Sequence, residues 1–160
     1  MWRVIVMLVI IAIYAQKGHG VNMGKYLNFV TLDDVETQVH PWGILQWLSE
    51  PRVTGTGNMT TGLVTVEPGQ GHARHNHEGC EEILYFLEGE GLQTLELPDG
   101  AVQRKMKASE LVFIPAGAFH STINVGDSRL AILAIYQFAG PEAGLRADPL
   151  CKVLPPKNTA

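Results

Sequence analysis

The chain has 160 residues, 18% of them charged, and a formal net charge of −4. That length fits one domain able to bury a core, and the acidic balance without a basic stripe argues against a nucleic-acid partner. Its 17 glycines and 9 prolines favour many short strands joined by tight turns rather than long helices, and no internal repeat or low-complexity tract interrupts them.

Residues 1–22 differ from everything after them. Arg3 precedes an unbroken apolar run, residues 4–15, followed by Gln16-Lys17-Gly18-His19-Gly20. One positive charge, an apolar stretch and small residues at its end describe a secretory signal peptide. The run is too short for a stable membrane span. Two other readings stay open: a Val- and Ile-rich strand pairing with another subunit, or initiation at Met23 with the preceding residues read from an upstream start. Export would place the protein in the periplasm or outside the cell; otherwise it is cytoplasmic. The two cysteines, Cys80 and Cys151, would form a disulfide after export or remain free thiols in the cytosol.

Residues 26–37, with Asp33, Asp34 and Glu36, read as a leading strand and loop. Residues 40–48 read as one strand, on which Trp42 and Trp47 have opposite parity and face opposite sides. Both indoles are assigned to packing. A turn-rich loop, 51–58, follows, and its Gly55-Thr56-Gly57-Asn58 is expected to border the mouth of the fold. The Val- and Thr-rich strand 60–67 then leads through Pro68-Gly69 into a histidine-rich turn.

His75 and His77 lie two apart, so on extended backbone they share a face. Glu82 opens the apolar run 83–87, a buried strand. Runs 83–87 and 92–97 flank Glu88-Gly89-Glu90-Gly91, a hairpin signal. Pro98-Asp99-Gly100 marks the next turn, before a charged strand over 102–106. Strands 111–114 and 121–125 bracket Pro115-Ala116-Gly117 and His120. Gly126-Asp127-Ser128 turns into a long apolar strand, 130–138. From Gly140 onward the chain reads as an irregular tail, packed against the outside.

Three imidazoles and one carboxylate, His75, His77, Glu82 and His120, suit one divalent transition metal: Fe, Mn, Ni, Cu or Zn. Four such groups on apolar strands need partners if buried. His72 has no place in this spacing and reads as a rim or surface histidine. Cys80 lies between His77 and Glu82 and is not assigned as a ligand. Glu81, Arg74, Tyr85 and Tyr136 are possible neighbours of the site, although parity turns Glu81 away from Glu82. None is named as catalytic.

These residues resemble the paired motifs of the cupin superfamily. Gly69, His75, His77, Glu82 and Gly89 satisfy the first motif: Gly, five residues, His-x-His, three or four residues, Glu, six residues, Gly. Pro115, Gly117, His120 and Asn124 match the second, while Ser109 stands where the family usually has Gly. The resemblance implies an all-β double-stranded β-helix, a jelly-roll barrel, over residues 23–140, after the apolar segment 1–22 and before the tail 141–160. It also implies a homodimer, for which the run 130–138 would be available, and a small-molecule substrate or ligand. Four protein ligands leave positions open on a five- or six-coordinate ion, as Lewis-acid or oxygen-activating chemistry requires. The expected function is an enzyme acting on a small oxygen-rich molecule, of dioxygenase, decarboxylase, isomerase or lyase type. The alternative is a non-catalytic binding protein whose metal anchors a carboxylate, since residues 77–82 weakly resemble the auxin-binding branch.

Overall fold

A computed structural model describes residues 26–158; the apolar run of residues 4–15, with every reading attached to it, lies outside them. The described chain forms β1 (Thr37–His40), β2 (Gly43–Ser49), β3 (Thr60–Val66), β4 (Gly71–His75), β5 (Glu82–Glu88) and β6 (Glu90–Leu97). It continues through β7 (Gly100–Lys107), β8 (Leu111–Ile114), β9 (His120–Asn124), β10 (Leu130–Tyr136), helix α1 (Pro141–Ala147) and β11 (Lys152–Leu154). Two antiparallel sheets result, ordered β11-β1-β2-β3-β10-β5-β8 and β4-β9-β6-β7. Together they make a jelly-roll barrel. Among the described residues no helix is long and apolar enough to cross a membrane.

Period-2 patterning supplies the core. On β5, Glu82, Leu84 and Phe86 point inward, and on β10 Leu130, Ile132, Ala134 and Tyr136 do the same. Trp47 and Phe86 are fully buried, and the Trp47 indole packs on Tyr136 with ring centroids 5.7 Å apart. The strand 130–138 ends at Tyr136 and lies between β3 and β5, with both of its edges paired. It therefore has no free edge to pair with a second subunit, and only its outer face remains for such a contact.

Three further expectations change. Residues 83–87 and 92–97 do not form a hairpin, because β5 pairs with β10 and β8 while β6 pairs with β7 and β9. Gly89, at φ 83°, instead carries the chain from one sheet to the other. A Cβ there would stand 2.6 Å from the Arg129 carbonyl oxygen and 2.9 Å from Leu130 Cα, so this corner needs glycine for both conformation and space. Residues 40–48 are not one strand: β1 and β2 form a hairpin in which His40 pairs with Gly43. Trp42 therefore sits in the turn, where strand parity does not apply. Where a leading strand was expected, the chain makes a short 3-10 turn at Leu32–Asp34.

The expected irregular tail carries α1 and β11. β11 pairs with β1 through Thr37↔Leu154. Helix α1 starts on Pro141, whose fixed φ suits a first helical turn. It is held down by Arg146, whose guanidinium meets Glu36 through Nε and Glu50 Oε1 through Nη2 at 2.6 Å. Ser109, between β7 and β8, has φ 72°, the only positive φ at a non-glycine residue among those described. The backbone there takes the shape that the usual glycine of the second cupin motif would favour.

Candidate metal centre

β4 and β9 pair so that His75 lies opposite His120. Glu82 opens β5, opposite Tyr136 of β10 and Ile114 of β8. His77 is in the loop after β4, which the Pro115-Ala116-Gly117 turn fastens in place through Gly117 N–H donating to the His77 carbonyl at 2.9 Å. Asn124 closes the opposite end of β9, four residues beyond His120. Its Nδ2 donates to the Val66 and Ser128 carbonyls, each at 2.9 Å, and its Oδ1 accepts from Gly126 N–H at 3.0 Å.

The structure brings His75, His77, Glu82 and His120 together, with one nitrogen or oxygen from each inside 4.8 Å of the others. Glu82 Oε2 lies 3.0 Å from His120 Nε2 and 3.5 Å from His77 Nε2. His75 Nδ1 is 2.7 Å from the Ala73 carbonyl, and His120 Nδ1 is 2.9 Å from the Ala118 carbonyl. A carbonyl only accepts, so each Nδ1 carries the proton and each Nε2 keeps its lone pair for the centre. His77 Nε2, His120 Nε2 and Glu82 Oε2 are buried and have no partner other than one another. Each such orphan costs about 1–3 kcal/mol unless something binds it. Three of them converging, with a donor set of imidazoles and a carboxylate, fit a divalent metal.

The electrostatics agree with that fit. Burial pushes His75 down to about 4, with the His120 imidazole adding to the effect. Burial also lowers His77 against the opposing pull of Glu82. At His120 burial acts downward too, but the adjacent Glu82 carboxylate outweighs it and raises the pKa. Burial, reinforced by Glu82, lifts the Tyr136 hydroxyl far above its ordinary range, so it stays protonated. Its ring meets His77 edge-on, with centroids 5.1 Å apart.

His72 is not a rim residue. The β4–β9 register shifts between His72 and His75, and this bulge overrides the alternation that would have turned His72 outward. Its ring stacks on Trp42, with centroids 4.4 Å apart at 14°, and lies 3.8 Å from the His75 ring. Burial, then the neighbouring His75, pushes its pKa down to about 3. His72 and Trp42 help line a cavity of about 30 Å³ beside the cluster, room for one or two waters. Thr122 and Tyr136 add polar atoms to its wall; Leu45, Ile132 and Leu145 are among its apolar residues. Trp42 and Leu145 were missed by sequence reasoning, because one sits in a turn and the other on a helix read as tail.

Of the other candidates, Glu81 is exposed while Glu82 is 3% exposed, as parity requires. Arg74 points away into a bidentate pair with Glu96, at 2.6 and 2.8 Å, and covers the Phe119 ring. Cys80 is buried in the core, and both it and Cys151 are free thiols. Asn58, ending the 51–58 loop, borders a surface groove that reaches Glu82 and Tyr136 from outside.

A β-barrel that gathers three histidines and one glutamate offers a cluster that fits a divalent metal. Residues 62–136 match the family model of the cupin domain, and the chain belongs to the cupin superfamily. It is 30% identical over 80 residues to the oxalate decarboxylase OxdC of Bacillus subtilis, an alignment covering 49% of this chain and 21% of that one. A structure of that enzyme, described with Mn(II) centres, superposes with a TM-score of 0.58 at 22% identity, covering 69% of this chain and 33% of the other. At that identity the likeness speaks to fold alone. An oxalate-binding protein of Thermotoga maritima is 37% identical over 68 residues, 42% of this chain and 53% of that protein. A glucose-6-phosphate isomerase of Thermococcus litoralis is 32% identical over 78 residues, 46% of this chain and 41% of that one. The chain thus spans about a fifth of the decarboxylase and about half of the oxalate-binding protein.

Proposed function

We propose that the chain is a mononuclear metal enzyme of the cupin superfamily, acting on a small oxygen-rich molecule. In this reading His75, His77, Glu82 and His120 hold one divalent transition metal. The observation that carries it is the convergence of three buried ligand atoms, with no partner other than one another, beside a small cavity. A bound ion would supply Lewis acidity, stabilising negative charge on substrate oxygens. The protein's part is to position and to exclude. The Ala73 and Ala118 carbonyls orient two of the imidazoles, and the apolar wall keeps bulk water out. The protonated Tyr136 hydroxyl remains a hydrogen-bond donor beside Glu82. The reaction is of dioxygenase, decarboxylase, isomerase or lyase type.

A second reading, a binding protein that uses the metal to anchor a carboxylate, draws on one observation. Apart from the four clustered residues, the ionisable side chains on the cavity wall are His72, held near 3, and Tyr136, held far above neutrality. Neither is poised as a general base at neutral pH. Oxygen uptake and product formation by the metal-loaded protein with a panel of small carboxylates separates the two readings. Turnover supports the enzyme; tight binding without turnover supports the binding protein.

We also place a homodimer contact on the outer face of the seven-stranded sheet, where Met59, Leu111 and Phe113 are about half exposed. A monomer mass at micromolar concentration in sedimentation equilibrium would refute it.

A further inference from the structure

We infer that helix α1 is a lid on the metal centre, with Leu145 as its plug and Arg146 as its latch, and that ion and substrate reach the four clustered residues when it lifts. This rests on the metal reading of the preceding section.

The first argument is space. The cavity beside the cluster holds about 30 Å³, room for one or two waters and for no organic molecule. Some part of its wall must therefore move. All of the lining residues except Trp42 and Leu145 lie on strands, and displacing a strand breaks its ladder of backbone hydrogen bonds. Trp42 is in the tight β1–β2 turn, and its indole stacks on both the His40 and the His72 rings, with centroids 5.1 and 4.4 Å away. Leu145 is on α1, which belongs to neither sheet. Helix α1 is thus the part of the wall that can leave without opening a ladder.

The second argument is how α1 is held. Its backbone bonds are local: Ala143 and Gly144 N–H both donate to the Gly140 carbonyl at 3.0 Å, and Asp148 N–H donates to that of Leu145 at 3.2 Å. A helix of seven residues does not persist on its own. Among the described residues, its polar links to the barrel are few. Gln38 Nε2 donates to the Glu142 carbonyl at 3.4 Å, and the Arg146 guanidinium meets Glu36 and Glu50. Glu36 precedes β1 and Glu50 follows β2, so one fork ties the helix to the ends of one hairpin. Between β10 and α1, Gly140 has φ 146° and nothing within 4 Å of its Cβ position, a freedom suited to a hinge. Beneath the closed helix, Gln38 and His40 share the inner face of β1 and are 0% and 5% exposed. Gln38 Oε1 and both His40 ring nitrogens have no hydrogen-bond partner among the described residues. Lifting α1 lets water reach them, which offsets part of the cost of opening.

Zn(II) exchange on the full chain provides the test. Loading of the metal-free protein and release to excess chromogenic chelator are timed for the wild type, Arg146→Lys and Glu36→Gln, with folding checked by circular dichroism. Arg146→Lys keeps a cation beside the buried Glu50 carboxylate but loses the fork; Glu36→Gln weakens the latch from the barrel side. Loss of one charge-assisted hydrogen bond raises the open fraction by about tenfold or more. Both rates are expected to rise by that factor while Kd stays unchanged, because a gate speeds passage in both directions. Unchanged rates in the folded variants, or faster release alone with a weaker Kd, overturns the inference. Wild-type hydrogen exchange needs neither variant. The Gly144 and Asp148 amides are expected to exchange through a local opening that low urea leaves unchanged. Exchange with the same urea dependence as Ile132 of β10 would mean that α1 opens only on global unfolding, and overturns the lid. Failure to bind Zn(II), or binding that His77→Ala leaves intact, overturns the metal reading and the gate with it, whereas the hydrogen-exchange outcomes concern α1 alone.

Discussion

Removing the ion should lower the melting temperature by an amount set by mass action. His75 ends β4, Glu82 opens β5, His120 opens β9 and His77 lies in a loop, so the unfolded chain has no preformed site. Metal at a hundredfold its Kd then stabilises the fold by about 2.7 kcal/mol, and at a thousandfold by about 4.1 kcal/mol. For a chain of this size each kcal/mol moves Tm by about 2–4 °C, so chelation should lower Tm by about 5–15 °C. The metal-free protein also keeps His77 Nε2, His120 Nε2 and Glu82 Oε2 buried with no partner other than one another. Replacing His77 with Ala removes one orphan and the metal affinity together. Its Tm should therefore respond far less to chelator than the wild-type Tm. The assay is differential scanning calorimetry with and without chelator, with metal content measured on the same samples. An unchanged wild-type Tm after confirmed loss of metal would refute the reasoning, since it would mean the site contributes nothing to holding the strands together.

Ser109→Gly should stabilise the fold by about 0.5–1 kcal/mol in urea denaturation. Relief of the left-handed backbone, worth about 1–2 kcal/mol, exceeds glycine's extra unfolded-state entropy, and a loss of stability would contradict the strain at φ 72°. Gly89→Ala should cost more than about 2 kcal/mol, because its Cβ would meet the Arg129 carbonyl at 2.6 Å in a left-handed backbone; a near-neutral effect would show that the corner can shift. The metal-free protein should lose stability as pH falls from about 6.5, the ordinary histidine value, toward 4. His75, His72 and His77 have depressed values when folded, so the unfolded chain takes up protons first across that window. His120 opposes this: its raised value adds stability below its ordinary pKa, which is lost as pH rises through the folded one. His40, lowered by burial, acts with the three; four against one makes the net effect acid lability, and a urea midpoint at pH 5.0 at or above that at pH 7.5 would contradict it.

What could be read from the residues was local. The spacing of His75, His77 and Glu82, with His120 after a Pro-x-Gly turn, depends on strand alternation and turn chemistry a few residues long. The left-handed backbone at Ser109 was not read from the residues, although Ser109 stands where the resembled motif usually has Gly. What could not be read was which strands pair. The turn at Gly89 was visible, but whether it closes a hairpin or crosses between sheets depends on β8, β9 and β10, far along the chain. His72 escaped because one bulge reverses parity, and bulges leave no mark in hydrophobic alternation. The strand 130–138 was seen as apolar, yet its place at the sheet centre comes from pairing with β3 and β5. Helix α1 is seven residues long and contains Gly144, too short and too weak in propensity to rise above loop composition.

Metal content of the purified chain, beside that of the His77→Ala and Glu82→Gln variants, tests the central claim most directly. The protein would be prepared without chelator under anaerobic conditions and analysed by mass spectrometry for Fe, Mn, Ni, Cu and Zn. One divalent ion per wild-type chain is expected, with most of it lost in either variant while the β-sheet circular dichroism is retained. Full occupancy in the variants, or a folded wild-type chain that binds none of these ions when they are supplied, would contradict the assignment of His75, His77, Glu82 and His120 to a metal centre.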